Sequence, residues 1–122
     1  MNNADLPDSL KSLMEGAHPP EDYAGNGCTC SPDFISGTDI RPACHWHDYA
    51  YSLGGTEERR EKVDRIFKRN LLRCGAGRLW SGVYYRRVAM WGVWHFLYDP
   101  DISIPRKLAI SVRCFFKRVI WF

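Results

Sequence analysis

Between Ala43 and Tyr51 the chain reads Ala-Cys-His-Trp-His-Asp-Tyr-Ala-Tyr, which crowds two histidines, a carboxylate, a thiol and two phenols into little more than two helical turns. Each of these groups needs a polar partner once it leaves water. On a helix of 3.6 residues per turn, Cys44, His47, Asp48 and Tyr51 fall at i, i+3, i+4 and i+7 and so share one broad face. That face normally meets the core, yet here it carries ionisable groups. An imidazole can take a proton from water near neutral pH, and a second carboxylate can fix its tautomer. A carboxylate beside backbone carbonyls can hold calcium, which prefers hard oxygen ligands. Base, orienting acid and metal are together the parts of metal-assisted ester hydrolysis by water.

Those side chains need elements to position them. Thr38 or Asp39 as N-cap, Pro42 in the first turn and Gly54-Gly55 at the end predict a helix from about Ile40 to Leu53. Thr56 caps the next helix, Glu57 and Glu58 suit its positive end, and Gly75 terminates it. Its buried stripe is Val63, Ile66, Phe67, Asn70, Leu71 and Cys74, while Arg59, Lys62, Arg65 and Arg69 form a solvated face. Asp64 sits beside the stripe, where a carboxylate is out of place unless paired. So short a turn between the two helices predicts antiparallel packing.

Around this pair, residues 1–22 read as a short helix and a loop. Asp8 or Ser9 caps the helix, Leu10, Leu13 and Met14 make its apolar edge, and Gly16 with Pro19-Pro20 ends it. Residues 23–37 read as irregular backbone. A third, strongly aromatic helix is expected from near Trp80 or Ser81 to Leu97, broken by Asp99-Pro100. The segment Ile104 to Phe122 places Leu108, Val112, Phe115, Phe116, Val119 and Ile120 at helical spacing, with its basic residues largely off that stripe. Such a helix ordinarily packs on its own domain, and the other reading is a helix lying at a membrane surface. The fold class expected is all-α.

At 122 residues the chain fits one domain, with the chemistry in residues 23–74 and an aromatic, basic part over 78–122. The net charge is only +3, but beyond residue 75 Arg78, Arg86, Arg87, Arg106, Lys107, Arg113, Lys117 and Arg118 face only Asp99 and Asp101. That asymmetry suggests an anionic partner, lipid or nucleic acid. No apolar run approaches the ~18 residues that span a bilayer. The N-terminus lacks a basic stretch followed by an apolar one, so no secretory signal is visible. Cys28, Cys30, Cys44, Cys74 and Cys114 are odd in number, which leaves at least one unpaired within the chain, and their connectivity is not legible in sequence.

In order along the chain, Tyr23-Ala24-Gly25-Asn26-Gly27, Cys44-His45-Trp46-His47-Asp48-Tyr49-Ala50-Tyr51 and Asp64 resemble the secreted-type phospholipases A2. The hallmarks of that family are a Tyr-x-Gly-x-Gly calcium loop, a helix with Cys-x-x-His-Asp-x-x-Tyr, and an Asp on a second antiparallel helix. The resemblance covers roughly residues 23–74. It implies that the carbonyls of Tyr23, Gly25 and Gly27, with the carboxylate of Asp48, bind calcium. It also implies that His47 is the general base for attack on the sn-2 ester, that Asp64 orients His47, and that the Tyr51 hydroxyl supports Asp64. The amide of Gly25 would stabilise the oxyanion with calcium. A phospholipid membrane surface becomes the expected partner, with secretion or delivery to target membranes. His45 has no counterpart role.

The chain departs from the family in places. Ala24 and Ala50 stand where many members have cysteine, and the resemblance implies that Cys28 or Cys30 would substitute as the partner of Cys44. The turn at Gly54-Gly55 is too short for the β-hairpin of animal enzymes and is closer to compact microbial or viral members. Three rival readings remain open. One is a structural zinc site from Cys28, Cys30, Cys44, His47 and Cys74. Another is a nucleic-acid-binding module built on the basic half, although nucleic acid is not the expected partner. The third is a phospholipase-like lipid-binding protein without activity.

Overall fold

The structure is a computed structural model that describes residues 6, 8–23, 34–35 and 37–116. The chain is all-α, with one minimal hairpin. In order it forms α1 (Asp8–Lys11), β1 (Phe34–Ile35), β2 (Thr38–Asp39), α2 (Arg41–Leu53), α3 (Glu57–Cys74), α4 (Gly77–Trp91) and α5 (Ile104–Cys114). A 3-10 turn, Gly92–Trp94, follows α4.

The hairpin corrects the expectation of irregular backbone to residue 37. Phe34 pairs with Asp39 and Ile35 with Thr38, antiparallel. Thr38 and Asp39 therefore belong to a strand, and the residue before α2 is Ile40, with no side-chain cap. Asp39 still serves the helix start, since its Oδ1 accepts from the backbone N–H of Arg41 at 3.0 Å. The Arg41 guanidinium beside Asp39 holds that carboxyl below its usual range.

α3 begins and ends as its sequence requires. The Thr56 hydroxyl accepts from the Arg59 N–H, a cap contributing ~1 kcal/mol. Gly75 closes the helix in the left-handed conformation, at φ 96°, which costs glycine nothing in Cβ contacts. α2 and α3 pack antiparallel: His47 touches Asp64 and Phe67, while Tyr51, one turn on, touches Asp64 and Arg60. The two glycines between them are closely held. The Gly55 N–H donates to the Leu97 carbonyl and the Asp99 N–H to the Gly55 carbonyl. At Gly54, with φ 70°, a Cβ would collide with the Leu97 backbone.

Two buried clusters flank the α2–α3 contact. Ile40, Ala43, Trp46, Phe67, Leu71 and Tyr84 form one with Leu6 and Met14. Ala50, Tyr51, Val63, Val93, Phe96 and Ile110 belong to the other. The positions between them, His47 on α2 and Asp64 on α3, thus lie where the two cores meet.

α1 is shorter than expected, and it is Met14 that is buried while Leu13 is exposed. The segment after α1 is pinned to α3 by Asn70, which accepts from the Glu15 N–H at 2.8 Å and donates to the Glu15 carbonyl at 3.1 Å. Arg69, expected on a solvated face, meets the Glu15 carboxylate at 2.7 Å.

The C-terminal half departs most from expectation. α4 starts at Gly77 rather than near Trp80, and gives way at Gly92 rather than running to Leu97. It buries Tyr84 and Tyr85 and leaves Trp80 and Trp91 exposed. α5 buries Ile110 and Cys114 against α4 and the turn that follows it, with the Ser111 hydroxyl donating to the Met90 carbonyl at 2.7 Å. Consequently the stripe Ile104, Leu108, Val112, Phe115 faces outward, against the expectation that a C-terminal apolar stripe packs on its own domain. Residues 117–122, including Lys117, Arg118, Val119 and Ile120, lie outside the described residues. No helix among the described residues is long and apolar enough to cross a membrane.

Candidate functional site

His47 Nε2 lies 2.9 Å from Asp64 Oδ1. The Tyr51 hydroxyl donates to that same oxygen at 2.7 Å. The other carboxylate oxygen, Oδ2, accepts from Arg60 Nη1 at 3.4 Å. A carboxylate facing three such donors acts as an acceptor only, which puts the imidazole proton on Nε2 and leaves Nδ1 as the basic nitrogen. The His47 ring lies between two tilted aromatic neighbours, with the Tyr51 ring centroid at 4.2 Å and that of Phe67 at 4.5 Å. Its side chain keeps 11% exposure while that of Asp64 has none, so the ring stands at the margin of the buried cluster with one edge toward solvent.

His47 lines a cleft of 170 Å³ between α2, α3 and the segment after α1. Trp46, Ala50, Val63, Ile66 and Phe67 give it apolar walls, and Arg59 and Lys62 stand at it as exposed cations. For scale, a cavity of ~150 Å³ holds one benzene molecule, so the cleft has room for a short stretch of alkyl chain. An oriented base beside an apolar cleft can draw a proton from a water attacking a bound ester.

Asp48 is half-buried one residue beyond the base. The Tyr23 hydroxyl donates to its Oδ2 at 3.1 Å, and burial first, then Asp48, pushes the Tyr23 phenol up to about 12. Tyr23 therefore sits against Asp48 although the two lie far apart in sequence. Gly25 and Gly27, the other expected calcium ligands, and Cys28 and Cys30 lie outside the described residues. Among the described residues no group of three or more His, Cys, Asp and Glu side chains is arranged to hold a metal. A calcium site made mostly of backbone carbonyls does not require one. Of the expected set, Asp48 offers a carboxylate, the hard donor that calcium prefers, and its contact with Tyr23 is through the phenol hydroxyl rather than the carbonyl. Of the set suggested for zinc, Cys28 and Cys30 are among those undescribed residues, and Cys74 is a thiol that burial pushes up to about 11. Cys44 is buried.

Sequence reasoning missed Arg60. It is fully buried and binds Glu57 through two parallel contacts, Nε to Oε1 at 2.6 Å and Nη2 to Oε2 at 3.0 Å. It also donates to the Val88 and Ala89 carbonyls of α4 and to Cys114 Sγ of α5. Burial disfavours its charge, but Glu57, Tyr51 and Asp64 outweigh that and raise its pKa further. Removing one partner from such a cluster typically costs ~3–5 kcal/mol. The Tyr98 hydroxyl completes the group by donating to Glu57 Oε1 at 2.7 Å. A signal for Arg60 was present: it stands four residues before Asp64, on the line that continues through Phe67 and Leu71.

His45, which carries no expected role, is fully buried beneath Tyr23, with ring centroids 5.1 Å apart. Among the described residues neither of its nitrogens has a hydrogen-bond partner, and burial lowers its pKa.

No protein-family model, no curated protein and no solved structure matches this chain.

Proposed function

We propose that this protein is a calcium-dependent phospholipase A2, hydrolysing the sn-2 ester of phospholipids at a membrane surface. The observation that carries the reading is the chain of contacts from Tyr51 and Asp64 to His47, ending at the 170 Å³ apolar cleft. His47 takes the proton of the attacking water on Nδ1. Asp64 holds the ring in the tautomer that leaves Nδ1 available, and it stabilises the imidazolium that forms. Tyr51 keeps the Asp64 carboxylate in place. The cleft walls exclude water and receive an acyl chain, while Arg59 and Lys62 favour the anionic end of a lipid.

Calcium would be held by the carbonyls of Tyr23, Gly25 and Gly27 and by the Asp48 carboxylate. When bound it supplies a positive charge for the ester oxygen as that oxygen becomes negative. The amide of Gly25 is assigned to the same oxyanion. The α2–α3 arrangement of phospholipases A2 is part of this reading, as is a disulfide from Cys44 to Cys28 or Cys30.

The direct test is release of fatty acid from phospholipid vesicles with and without calcium. Calcium-dependent release by the native chain, lost in His47→Gln, is expected. Undiminished release in excess chelator would sink the calcium role, and no release under any condition would sink the hydrolase.

A further inference from the structure

We propose that Arg60 is a positioning residue of the site, setting the Asp64 carboxylate against His47 from the side that neither His47 nor Tyr51 reaches. This rests on the reading of His47 as the base. The two oxygens of Asp64 face different donors. Oδ1 takes His47 at 2.9 Å and Tyr51 at 2.7 Å, both from α2, and Oδ2 takes Arg60 at 3.4 Å from one turn earlier on α3. The two oxygens of a carboxylate are equivalent, so what Arg60 adds is a second fixed point. With one oxygen held by His47 and Tyr51 and the other by Arg60, tilting the carboxylate plane away from the imidazole breaks a buried charge contact.

Arg60 is itself immobilised. Nε and Nη2 are committed to Glu57, and Nη1 is shared between Asp64, the Tyr51 hydroxyl at 3.3 Å and the Val88 carbonyl at 3.1 Å. The guanidinium plane is therefore fixed by α3, α4 and α5 together, with Cys114 Sγ 3.3 Å from Nη2. Gly92 leaves room for this approach, because a Cβ there would collide with the Tyr51 hydroxyl and come within 3.0 Å of Arg60 Nη1. The C-terminal helices thus reach the Asp64 carboxylate through Arg60. Lysine cannot reproduce the arrangement, since a single ammonium cannot hold the Glu57 carboxylate in a fork and still reach Asp64.

The test uses the full chain with two substitutions. One is Arg60→Lys. The other is the double variant Arg60→Met with Glu57→Gln, which removes the arginine without leaving the Glu57 charge unpaired. Two quantities are read on each folded variant: the exchange protection of the His47 Nε2 proton by NMR, and kcat and KM on vesicles. We expect the proton to lose protection in both variants, with kcat down about 10–100-fold, the range that outer positioning contacts command, and KM within twofold. A purely structural role would lower melting temperature but leave the proton signal and kcat of the folded fraction unchanged. That result in either variant would overturn the proposal. If the native chain shows the protected Nε2 proton and its Arg60 dependence but hydrolyses no lipid, Arg60 stands as a positioning residue and the phospholipase reading falls.

Discussion

Nε2 of His47 lies 2.9 Å from Oδ1 of Asp64, across the contact between two antiparallel helices. The proton is thereby confined to one nitrogen of the ring. Asp64→Asn keeps the shape of the side chain but offers an amide that satisfies either tautomer. Its kcat on vesicles is expected to fall by about 10²–10⁴, the range for an oriented general base. Circular dichroism should show an unchanged helical content.

Calcium removal is expected to act on catalysis more than on fold. The two described members of the proposed calcium set are joined to each other through the Tyr23 hydroxyl and Asp48 Oδ2. Excess chelator should therefore abolish hydrolysis while the helices remain, and Asp48→Asn should be inactive at any calcium level. Calcium titration followed by melting temperature checks binding apart from turnover. A rise is expected for the native chain and none for Asp48→Asn.

Stability should depend on pH through His45. Burial lowers its pKa in the folded state, with Asp48 opposing and Lys11 adding to the effect. The unfolded chain then binds a proton on His45 that the folded chain resists. Stability is therefore intact above the ordinary histidine pKa of ~6.5 and is lost as pH falls through it. His45→Phe should flatten that part of the curve, measured by denaturant melts between pH 7.5 and 5. A slope unchanged by the substitution would assign the dependence to other groups.

Gly92→Ala should destabilise although it adds only a methyl group. The new Cβ meets the Tyr51 hydroxyl inside the buried cluster, and overpacking of this kind typically costs ~1–3 kcal/mol. Denaturant unfolding measures the loss. Hydrolysis by the folded fraction should fall as well, because Tyr51 and Arg60 both move.

The outward stripe of α5 is expected to matter for vesicles and not for the chemistry. Leu108 and Val112 are each more than half exposed. Leu108→Glu with Val112→Glu should change stability by no more than ~0.5 kcal/mol. Sedimentation with anionic vesicles should weaken, while turnover of a short-chain lipid dispersed as monomers stays at the native level. Equal loss on both substrates would place the stripe in the fold instead.

Much of the site was legible in order along the chain. The spacing of Cys44, His47, Asp48 and Tyr51 fixes a shared helical face by geometry alone, and the caps at Thr56 and Gly75 bound α3 because their backbone demands are local. Asp64 announced itself as a carboxylate beside an apolar stripe. Which partners it would take was not local information. Arg60 joins Asp64 and Tyr51 to carbonyls of α4 and a sulfur of α5, and only packing brings those groups within reach of one guanidinium.

The same limit governs α5. Helical periodicity shows that Leu108, Val112 and Phe115 share a side, but it carries no sign for inward or outward. That choice went to Ile110 and Cys114, because the contact surface offered by α4 and the Arg60–Glu57 pair lies on their side of the helix. Spacing along the sequence determined which residues stand together on a helix. The meeting of helices in three dimensions decided which of those faces the protein buries and which charges it holds inside.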